Sequence, residues 1–260
     1  MQKDIHFNLT YALARKVGIS AGDAEKIAWA DQYTDDLTKA DLHGIQTQSA
    51  VLGNWGDRQI QLSVLVPFHF VPGDDTERPW FVTANSSRAR ALVEASLSDP
   101  IRFGIALHGL QDTFSHQGFT GWEEKGNACF PWWYIIESGV PNAGHAEMKA
   151  APDMVNLVWT DPRNGKRIDN KGRALKCARA TYGYLIKFHG SYQREKWPNI
   201  AKELKQIFKL ISYDGRKERL CEMAGRKIRY KNVRKRFKGK YKKDFIEAAR
   251  EHLAKAMELL

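Results

Sequence analysis

The chain has 260 residues, enough for one sizeable hydrophobic core, and its 43% apolar and 27% charged content excludes a disordered protein. Its net charge of +11 is unevenly spread, since residues 1–130 carry 11 Lys/Arg and 16 Asp/Glu whereas residues 131–260 carry 30 and 14. An acidic part that precedes a basic part suits a cation site beside a site for an anionic substrate. A run of Lys and Arg is, however, most often a solvated helix face.

The apolar and cysteine patterns bear on where the protein resides. No run of 18 apolar residues is present, which predicts that there is no transmembrane helix. The first residues, MQKDIHFNLTYALARKVG, lack the apolar core of a signal peptide, so we expect a cytoplasmic protein, with signal-independent export as the alternative. Cys129, Cys177 and Cys221 form no CxxC pair, and we expect three reduced thiols.

The first half of the chain is predicted to contain four helices. Apolar residues recur at helical spacing, and Ser, Asp or Pro stands where helices begin. The predicted helices are residues 4–17, a second that starts at Ser20 or Asp23, a third from Asn85-Ser86-Ser87 to Leu97, and a fourth from Asp99-Pro100 to Phe114 or beyond. Residues 41–85 are mixed, with clusters of Gly, Pro and Asp, such as HFVPGDDTERPW, that are predicted to be loop.

The second half is predicted to begin with long loops and to end with helices. Residues 120–172 are rich in Gly, Pro, Asn and Asp, and long ordered loops in a compact domain are usually functional. Helical periodicity returns over residues 173–260 in about three segments, and alternating strands are scarce. We therefore predict an all-α fold, a single multi-helix domain over residues 1–260. Its metal-site half is residues 1–172 and its basic helical part is residues 173–260.

The stretch HGLQDTFSHQGF, residues 108–119, places His108, Asp112 and His116 four residues apart beside the apolar run IRFGIALHGL. Steps of four residues keep side chains near one face of a helix, so three polar side chains would follow one buried-looking face. Imidazole and carboxylate groups on adjacent turns can bind one divalent cation, or Asp112 can bridge two. The spacing predicts a metal site, and the alternative is a capped or partly exposed polar face.

Other residues are candidate ligands on weaker grounds. Three carboxylates near the end of the second helix compete for the role of acidic ligand: Asp31, Asp35 and Asp36. Three histidines are evenly balanced between ligand and ordinary residue: His6, His69 in PFHFVPGD, and His145 in GHAEMKAAPD. Three further histidines stand in plain helical or loop contexts and are predicted to lie outside the site: His43, His189 and His252.

The order His6, Asp35, His69, H-x3-D and two later histidines resembles the zinc-dependent phospholipase C family and its relatives, the zinc-dependent single-strand nucleases. Four blocks are more similar still to a bacterial family of unassigned function with the same block order: HFNLTYALARKVGISAGDAEKIAWADQYTDD, PFHFVPGD, GIALHGLQDTFSHQGFTGW and PNAGHAEMKAAPD. The match covers about residues 4–160. The resemblance implies an all-α enzyme with a zinc cluster in a cleft that long ordered loops surround.

The resemblance also implies a role for each candidate. One metal ion would be held by Asp35, His69, His108 and Asp112. Asp112 would bridge to a second ion that His6 also binds, and a third would take His116 and His145. The chain departs from the family motif, because His108 and His116 are more closely spaced and Lys149 stands where a glutamate is expected, so that Glu147 or Asp153 would substitute. The family's mature amino-terminal residue is a ligand after signal cleavage, whereas no signal is predicted here. We expect two or three zinc ions, with another divalent metal as the alternative.

Such a site lowers the pKa of bound water and neutralises phosphate oxygens. We therefore expect a metal-dependent phosphodiester hydrolase, phospholipase C-like, in which Asp35 orients the attacking water, as the resemblance implies. The partner would be an anionic phosphodiester, either a phospholipid or a nucleic acid. The alternatives are a zinc-dependent nuclease of single strands and a metal-stabilised binding or toxin-type protein without turnover. The sequence indicates no oligomeric state.

Two segments bear on the substrate. GRKIRYKNVRKRFKGKYKK, residues 225–243, has eleven Lys/Arg from Arg226 to Lys243 with aromatic residues between them. It suits a nucleic acid, an anionic membrane surface, or merely a solvated helix whose aromatic side chains turn inward. CFPWWYII, residues 129–136, is strongly apolar and predicts either an exposed rim that contacts lipid or bases, or a plug beneath the loops.

Overall fold

The chain folds mainly as helices. This computed structural model describes residues 1–38, 45–48, 56–131, 139–190 and 193–260. The helices are α1 (Thr10–Val17), α2 (Ala21–Asp36), α3 (Arg58–Ile60), α4 (Ser87–Glu94), α5 (Pro100–Ser115), α6 (Asn170–His189), α7 (Trp197–Ile207), α8 (Tyr213–Met223) and α9 (Tyr230–Leu259). Two π-helical segments adjoin them: Asp4–Leu9 runs directly into α1, and Gln61–His69 continues α3. The all-α prediction is confirmed.

Helix ends with a strong capping residue lie where the sequence places them. The Asp99 side chain accepts hydrogen bonds of 2.9 Å from the backbone N–H groups of Ile101 and Arg102, and thereby starts α5. Of the two candidates at the start of α2, Ser20 is the cap, and its hydroxyl oxygen lies 3.1 Å from the Asp23 nitrogen. Helix α4 ends three residues before the predicted position.

Within the mixed range of residues 41–85, residues 58–69 are helical, and the predicted loop HFVPGDDTERPW is loop from Phe70 onward. Seven of the nine side chains in QLSVLVPFH are buried, so this segment has no polar face whose period would indicate a helix. Pro67, which favours a loop in the sequence, lies inside the π-helical segment. Residues 41–44 and 49–55 of this range are outside the described residues.

The second half of the chain is more regular than predicted. Residues 170–259 contain the four helices α6 to α9 instead of about three. The predicted loops over residues 120–172 include short 3₁₀ turns and an antiparallel hairpin of β1 (Val158–Thr160) and β2 (Arg167–Asp169). Trp159 pairs with Ile168 across the hairpin, and both side chains are buried. The hairpin leads directly into α6.

Helix α5 lies at the centre of the packing. It contacts α2, α4, α6, α9 and the π-helical segment Gln61–His69. It comes closest to α2 at Gly104, where an added Cβ atom would lie 2.4 Å from the backbone oxygen of Ile27 and 3.0 Å from the nitrogen of Asp31. Such distances exclude any side chain at this position. The close approach is what brings His108 of α5 beside the carboxylates of α2.

One large cluster of buried apolar side chains joins both parts of the chain. It includes Ile5 near the amino terminus, Phe103 on α5, and Phe245 and Ala256 on α9. The basic helices of the second half are therefore packed onto the same core as the predicted metal-site half. None of the described helices has the length and apolar character needed to cross a membrane.

Candidate metal centre

The candidate ligands lie together where α2, α5 and the two π-helical segments meet. Asp112, on α5, stands between them, and its two carboxylate oxygens face different histidines. Oδ2 lies 3.3 Å from both Nδ1 of His69 and Nε2 of His108. Oδ1 lies 3.3 Å from Nε2 of His6. This position is the one that a carboxylate shared between two metal ions would occupy.

Four of these residues form what we call the first donor group: Asp35, His69, His108 and Asp112. Nε2 of His108 lies 3.0 Å from Nδ1 of His69 and 3.6 Å from Oδ1 of Asp35. Nδ1 of His69 lies 3.8 Å from the same oxygen. A tetrahedral zinc ion with bonds of about 2.0–2.1 Å would hold its ligand atoms about 3.3 Å apart. The spacings in the first donor group lie on both sides of this value.

The hydrogen bond on the far side of the His69 ring decides which of its nitrogens carries the proton. Nε2 of His69 lies 2.6 Å from the backbone oxygen of Thr47, which only accepts, so this nitrogen donates and Nδ1 keeps its lone pair. Nδ1 of His108 lies 3.4 Å from Oδ1 of Asp31 and makes no hydrogen bond within the described parts of the chain. Nε2 of His108 and Nδ1 of His69 lie 3.0 Å apart and face the carboxylates of the first donor group. Either a proton on His108 or a bound cation would hold these groups together.

A second donor group follows α5 and consists of His116, His145 and Asp153. Nε2 of His116 lies 3.1 Å from both Nε2 of His145 and Oδ1 of Asp153. Nε2 of His145 lies 3.3 Å from Oδ2 of Asp153. Each ring donates from its Nδ1 to a backbone oxygen, His116 to that of His69 at 2.7 Å and His145 to that of Lys149 at 2.8 Å. Both Nε2 lone pairs therefore face the carboxylate.

The prediction that His108, Asp112 and His116 share one helix face is correct only for the first two. α5 ends at Ser115, and His116 is the residue that caps it, with its backbone N–H 2.9 Å from the oxygen of Asp112. Its Nδ1 is 3.9 Å from Oδ2 of Asp112, and the ring belongs to the second donor group. The chain turns here, at Gly118 with φ +76°. The two histidines thus stand in different donor groups.

Asp153, one of the two carboxylates left open by the sequence, is the one that joins the second donor group. Glu147 does not, because its Oε2 accepts hydrogen bonds from the backbone N–H groups of Cys129 at 2.6 Å and Phe130 at 3.0 Å. Lys149 adopts φ +51°, a strained conformation for a residue with a side chain, and this directs its carbonyl at the histidine of the group.

The three carboxylates of α2 have three different environments. Asp35 faces the first donor group, and its side chain is 27% exposed. Asp31 is fully buried beneath two histidine rings and faces the Nδ1 atom of each. Asp36 faces away from the centre and accepts a hydrogen bond of 2.7 Å from the hydroxyl of Tyr230. Of the three alternatives, Asp35 is therefore the one placed beside His69 and His108.

A buried hydrogen-bond network orients the His6 ring through Nδ1, the nitrogen that does not face Asp112. Nδ1 of His6 lies 2.9 Å from both Oδ1 of Asp31 and Oε1 of Gln111, either of which accepts its proton. Thr10 donates to Asp31 at 2.7 Å, and Gln111 donates to Thr10 at 2.8 Å. Nε2 of His6 is buried and has no hydrogen-bond partner among the described residues. This nitrogen faces Asp112, and a metal ion would satisfy it.

The electrostatics of the centre favour positive charge. The amino nitrogen of Met1 contacts Oδ1 of Asp112 and lies 3.2 Å from Oδ1 of Asp153. Burial alone would lower the pKa of this amino group, but the carboxylates raise it to about 11. Burial also opposes a charged His108, yet Asp112 and Asp35 raise its pKa to about 10. Burial would raise the pKa of Asp112, whereas the amino group and nearby imidazoles hold it well below its ordinary range.

The donor atoms fit a divalent metal ion. They are imidazole nitrogens and carboxylate oxygens, which are the common protein ligands of zinc alongside thiolates. Each ring is oriented by a carbonyl or carboxylate behind it, as is usual at metal sites. His6, the two donor groups and the shared Asp112 could therefore hold metal ions at two or three neighbouring positions. These candidate ligands could be identified from the sequence. Four residues around them could not be: Met1, Thr10, Thr47 and Gln111.

The remaining predicted features lie elsewhere. His252 is buried on α9 and its Nε2 lies 3.0 Å from the backbone oxygen of Pro67, while His189 is exposed at the end of α6. His43 lies outside the described residues, as do residues 132–138 of the apolar segment CFPWWYII. Phe130 at the start of that segment is exposed.

Comparisons with known proteins place the chain in a family without assigning an activity. The model of a family of unknown function, DUF6765, matches residues 1–259. Searches of curated proteins and of solved structures give no match. The function has therefore to be argued from the centre itself.

Proposed function

Because this chain belongs to DUF6765, a family of unknown function, we propose its function from the metal centre: a metal-dependent phosphodiester hydrolase, phospholipase C-like, with zinc as the preferred metal. The observation that carries the proposal is Asp112, whose two oxygens face separate sets of imidazole nitrogens. Neighbouring metal ions that share a ligand are suited to phosphodiester cleavage, since they stabilise the attacking and the leaving oxygen together.

Different residues of the centre would hold different metal ions. The first donor group would hold one ion, the second donor group another, and His6 with Asp112 a third. When bound, such ions polarise the phosphate and make water a nucleophile at neutral pH. The imidazoles are kept in the tautomer that presents a lone pair by acceptors behind them, such as Thr47 and Lys149.

Asp35 is the residue to which we assign the catalytic role of orienting the attacking water. Its side chain is 27% exposed, whereas that of Asp112 is 2% exposed, so solvent reaches the first donor group at Asp35. Its Oδ2 lies 3.3 Å from Nε2 of Gln32, which fixes the orientation of the carboxylate. A positioned carboxylate of this kind typically contributes about 10²–10⁴-fold to a rate.

The test is metal analysis of the purified chain, followed by hydrolysis of bis(p-nitrophenyl) phosphate with and without chelator. We expect bound zinc and a chelator-sensitive rate. Asp35→Asn should lower the rate about 100-fold or more while the second donor group keeps its ion. Asp244→Asn, at an exposed carboxylate of α9, is the matched control and should leave both unchanged. Undiminished hydrolysis after chelation would rule the proposal out.

A nuclease that acts on single strands is the second candidate, and the basic segment of residues 225–243 is the observation that favours it. Its Lys and Arg side chains mostly face solvent, but Tyr230 and Phe237 are buried, and Tyr241 packs against Trp29. These aromatic rings are therefore not available for base stacking. Cleavage of a single-stranded oligonucleotide that weakens steeply with salt would favour this candidate.

The third candidate, a metal-stabilised binding protein, predicts metal ions enclosed by protein ligands on all sides. The exposure of Asp35 instead favours a metal ion with one coordination position open to solvent. Tightly bound zinc without hydrolysis of any phosphodiester would favour this candidate.

A further inference from the structure

A basic cavity of about 880 Å³ lies between the amino-terminal segment, α8 and the start of α9. Seven basic and three acidic side chains line it, so its walls carry an excess of positive charge. It lies beside the metal centre but is separate from it. Lys3 lines the cavity two residues from Met1, and Tyr230 lines it while donating to Asp36. The volume is within the range of cavities that take small ligands.

Three of its cations have no hydrogen-bond or ion-pair partner in the part of the chain that the structure describes: Lys227, Arg229 and Lys231. They are exposed and alternate along the chain with Ile228 and Tyr230, which are buried. Two other cations of the cavity, Arg226 and Arg234, pair instead with carboxylates of α2. The three unpaired cations are therefore free to bind an anionic partner.

Two aliphatic side chains project into solvent just before α8. Ile211 is 83% exposed and Leu210 is 37% exposed. Their backbone is held in place, because the buried Arg216 donates to the oxygen of Leu210 at 2.9 Å and to that of Ile211 at 3.1 Å. Arg216 also pairs with Asp4 in the amino-terminal segment. Ile211 lies three residues before Asp214, which lines the cavity, so the two aliphatic side chains adjoin the α8 side of the cavity in the chain.

We propose that this face, formed by Leu210, Ile211, Lys227, Arg229 and Lys231, docks on an anionic phospholipid bilayer. The cations would bind headgroup phosphates at the cavity, and the two aliphatic side chains would enter the interface beside them. Exposed aliphatic side chains next to unpaired cations are the composition of interfacial anchors. Single-stranded nucleic acid fits the face less well, because such ligands are held largely by stacking on exposed aromatic rings.

The docking face can be tested without assuming that the metal centre is catalytic. The full chain is sedimented with vesicles of phosphatidylcholine alone or of phosphatidylcholine with phosphatidylglycerol, and the released phosphorylated headgroup, phosphocholine or phosphoglycerol, is measured in the same samples. Binding is expected to need phosphatidylglycerol and to weaken with salt. Binding without release of a phosphorylated headgroup would leave docking intact and count against the proposed hydrolysis. Release of a phosphorylated headgroup without preference for phosphatidylglycerol would support the proposed hydrolysis and count against the docking face.

Charge reversal tests the cations. K227E/R229E/K231E should weaken vesicle binding by more than about 100-fold, since the loss of each basic side chain near an anionic surface costs about a factor of five and each new carboxylate is repelled. The matched control is K125E/K166E/R167E, which changes the net charge equally at exposed residues of the loops and the hairpin. The control should bind nearly as well as the unaltered chain. Equal loss in both variants would overturn the proposal, because only net charge would then matter.

The aliphatic pair is tested by Ile211→Ser, which should weaken vesicle binding about tenfold. Met257→Ser, at a 49% exposed residue of α9, is the matched control and should have no effect. A labelled single-stranded oligonucleotide is titrated in parallel. If it binds more tightly than the vesicles and Ile211→Ser leaves its binding unchanged, the face is a nucleic-acid site and the membrane proposal fails.

Discussion

At the scale of single residues, the centre depends on Asp31, whose carboxylate, with His6 and His108, also forms a set of donor atoms close enough to hold a metal ion. Asp31 is buried between His6 and His108, and Thr10 holds it in place. A carboxylate behind a metal-binding imidazole fixes the tautomer and the ring orientation. Its role is therefore to position two histidines that approach Asp112 from different sides.

Asp31→Asn should weaken zinc binding about 10- to 100-fold, because the amide no longer stabilises the donating Nδ1 atoms as a carboxylate does. The dissociation constant is measured by competition with a chromogenic chelator. Asp36→Asn, on the same helix but bonded to Tyr230, is the matched control and should bind zinc as the unaltered chain does. Equal affinities for both variants would mean that Asp31 has no part in the centre.

The ligands were easier to anticipate from the sequence than the residues behind them. His108 and Asp112 stand out because polar side chains interrupt an apolar helix at a spacing of four. Thr10 and Gln111 give no such indication, because they meet only after residues 101 positions apart have been brought together. The distinction between Asp31 and Asp35 was also out of reach, since it depends on how α2 is rotated against α5.

At the scale of helices, Gly104 sets how closely α5 can approach α2. Gly104→Ala should destabilise the fold by about 1–3 kcal/mol, because the new Cβ atom would overlap the Ile27 carbonyl. Zinc binding should weaken as well, since the two helices carry His108 and Asp35. Gly183→Ala on α6 is the matched control, because no atom lies within 4 Å of the added Cβ.

Gly183→Ala should be neutral or stabilise the chain by up to about 1 kcal/mol, as alanine favours a helix. Chemical denaturation measures both variants. Equal effects of the two substitutions would show that helix propensity, and not the contact between α5 and α2, governs position 104.

The packing of α9 on the π-helical segment predicts a pH effect. Burial lowers the pKa of His252 from 6.5 to about 4. The unfolded chain therefore takes up this proton first as the pH falls, and stability decreases between about pH 6.5 and pH 4. His252→Gln keeps a donor for the Pro67 oxygen but cannot titrate. It should remove up to about 3 kcal/mol of that decrease.

Denaturation of both chains at several pH values checks this prediction, and the metal ligands titrate in both and cancel from the difference. Arg102, Glu251 and Lys255 lie around the same pocket in both chains. A difference between the two chains that stays constant with pH would contradict the prediction.

Helices with clear caps could be predicted from the sequence, and those without were missed. Asp99 and Ser20 begin α5 and α2 because their side chains bond the first free N–H groups of each helix. Residues 61–69 were not predicted as a helix, because they are buried on nearly all sides. They therefore lack the polar face whose helical spacing identifies a helix in the sequence. Local signals were sufficient only where one face of the helix meets water.

At the scale of the whole molecule, the centre joins distant parts of the chain. Its candidate ligands extend from His6 to Asp153, and α9 packs on the same core. A metal ion bound to the folded chain alone would stabilise it by mass action, by about 2.7 kcal/mol at 100 times the dissociation constant. Without it, the buried carboxylate of Asp112 would depend on the amino group of Met1 and the nearby imidazoles for compensation.

Removal of metal should therefore lower the Tm measured by calorimetry, and stepwise addition of zinc should raise it again in proportion to the logarithm of free zinc. Calcium is the control ion and should restore little, because it prefers oxygen ligands. An unchanged Tm in excess chelator would show that the folded chain does not need a metal ion.

The overall class of fold could be predicted, but the way the parts combine could not. Scarce strands and recurring helical periods gave the all-α class. The uneven charge suggested two halves with different tasks, whereas the structure packs both onto one core and places the unpaired cations beside the amino-terminal segment. Such placements depend on contacts between residues far apart in sequence, which periodicity does not report.

The two π-helical segments make the geometry of the centre sensitive to the number of residues in each segment. Each carries one of its histidines, His6 in Asp4–Leu9 and His69 in Gln61–His69, and each turn of a π-helix contains an extra residue relative to an α-helix. Deleting one residue ahead of His69 would rotate its ring by about 100° around the helix axis, away from Asp112. In related sequences, a single-residue gap within either segment would therefore mark the loss of this centre even where every histidine and aspartate is retained.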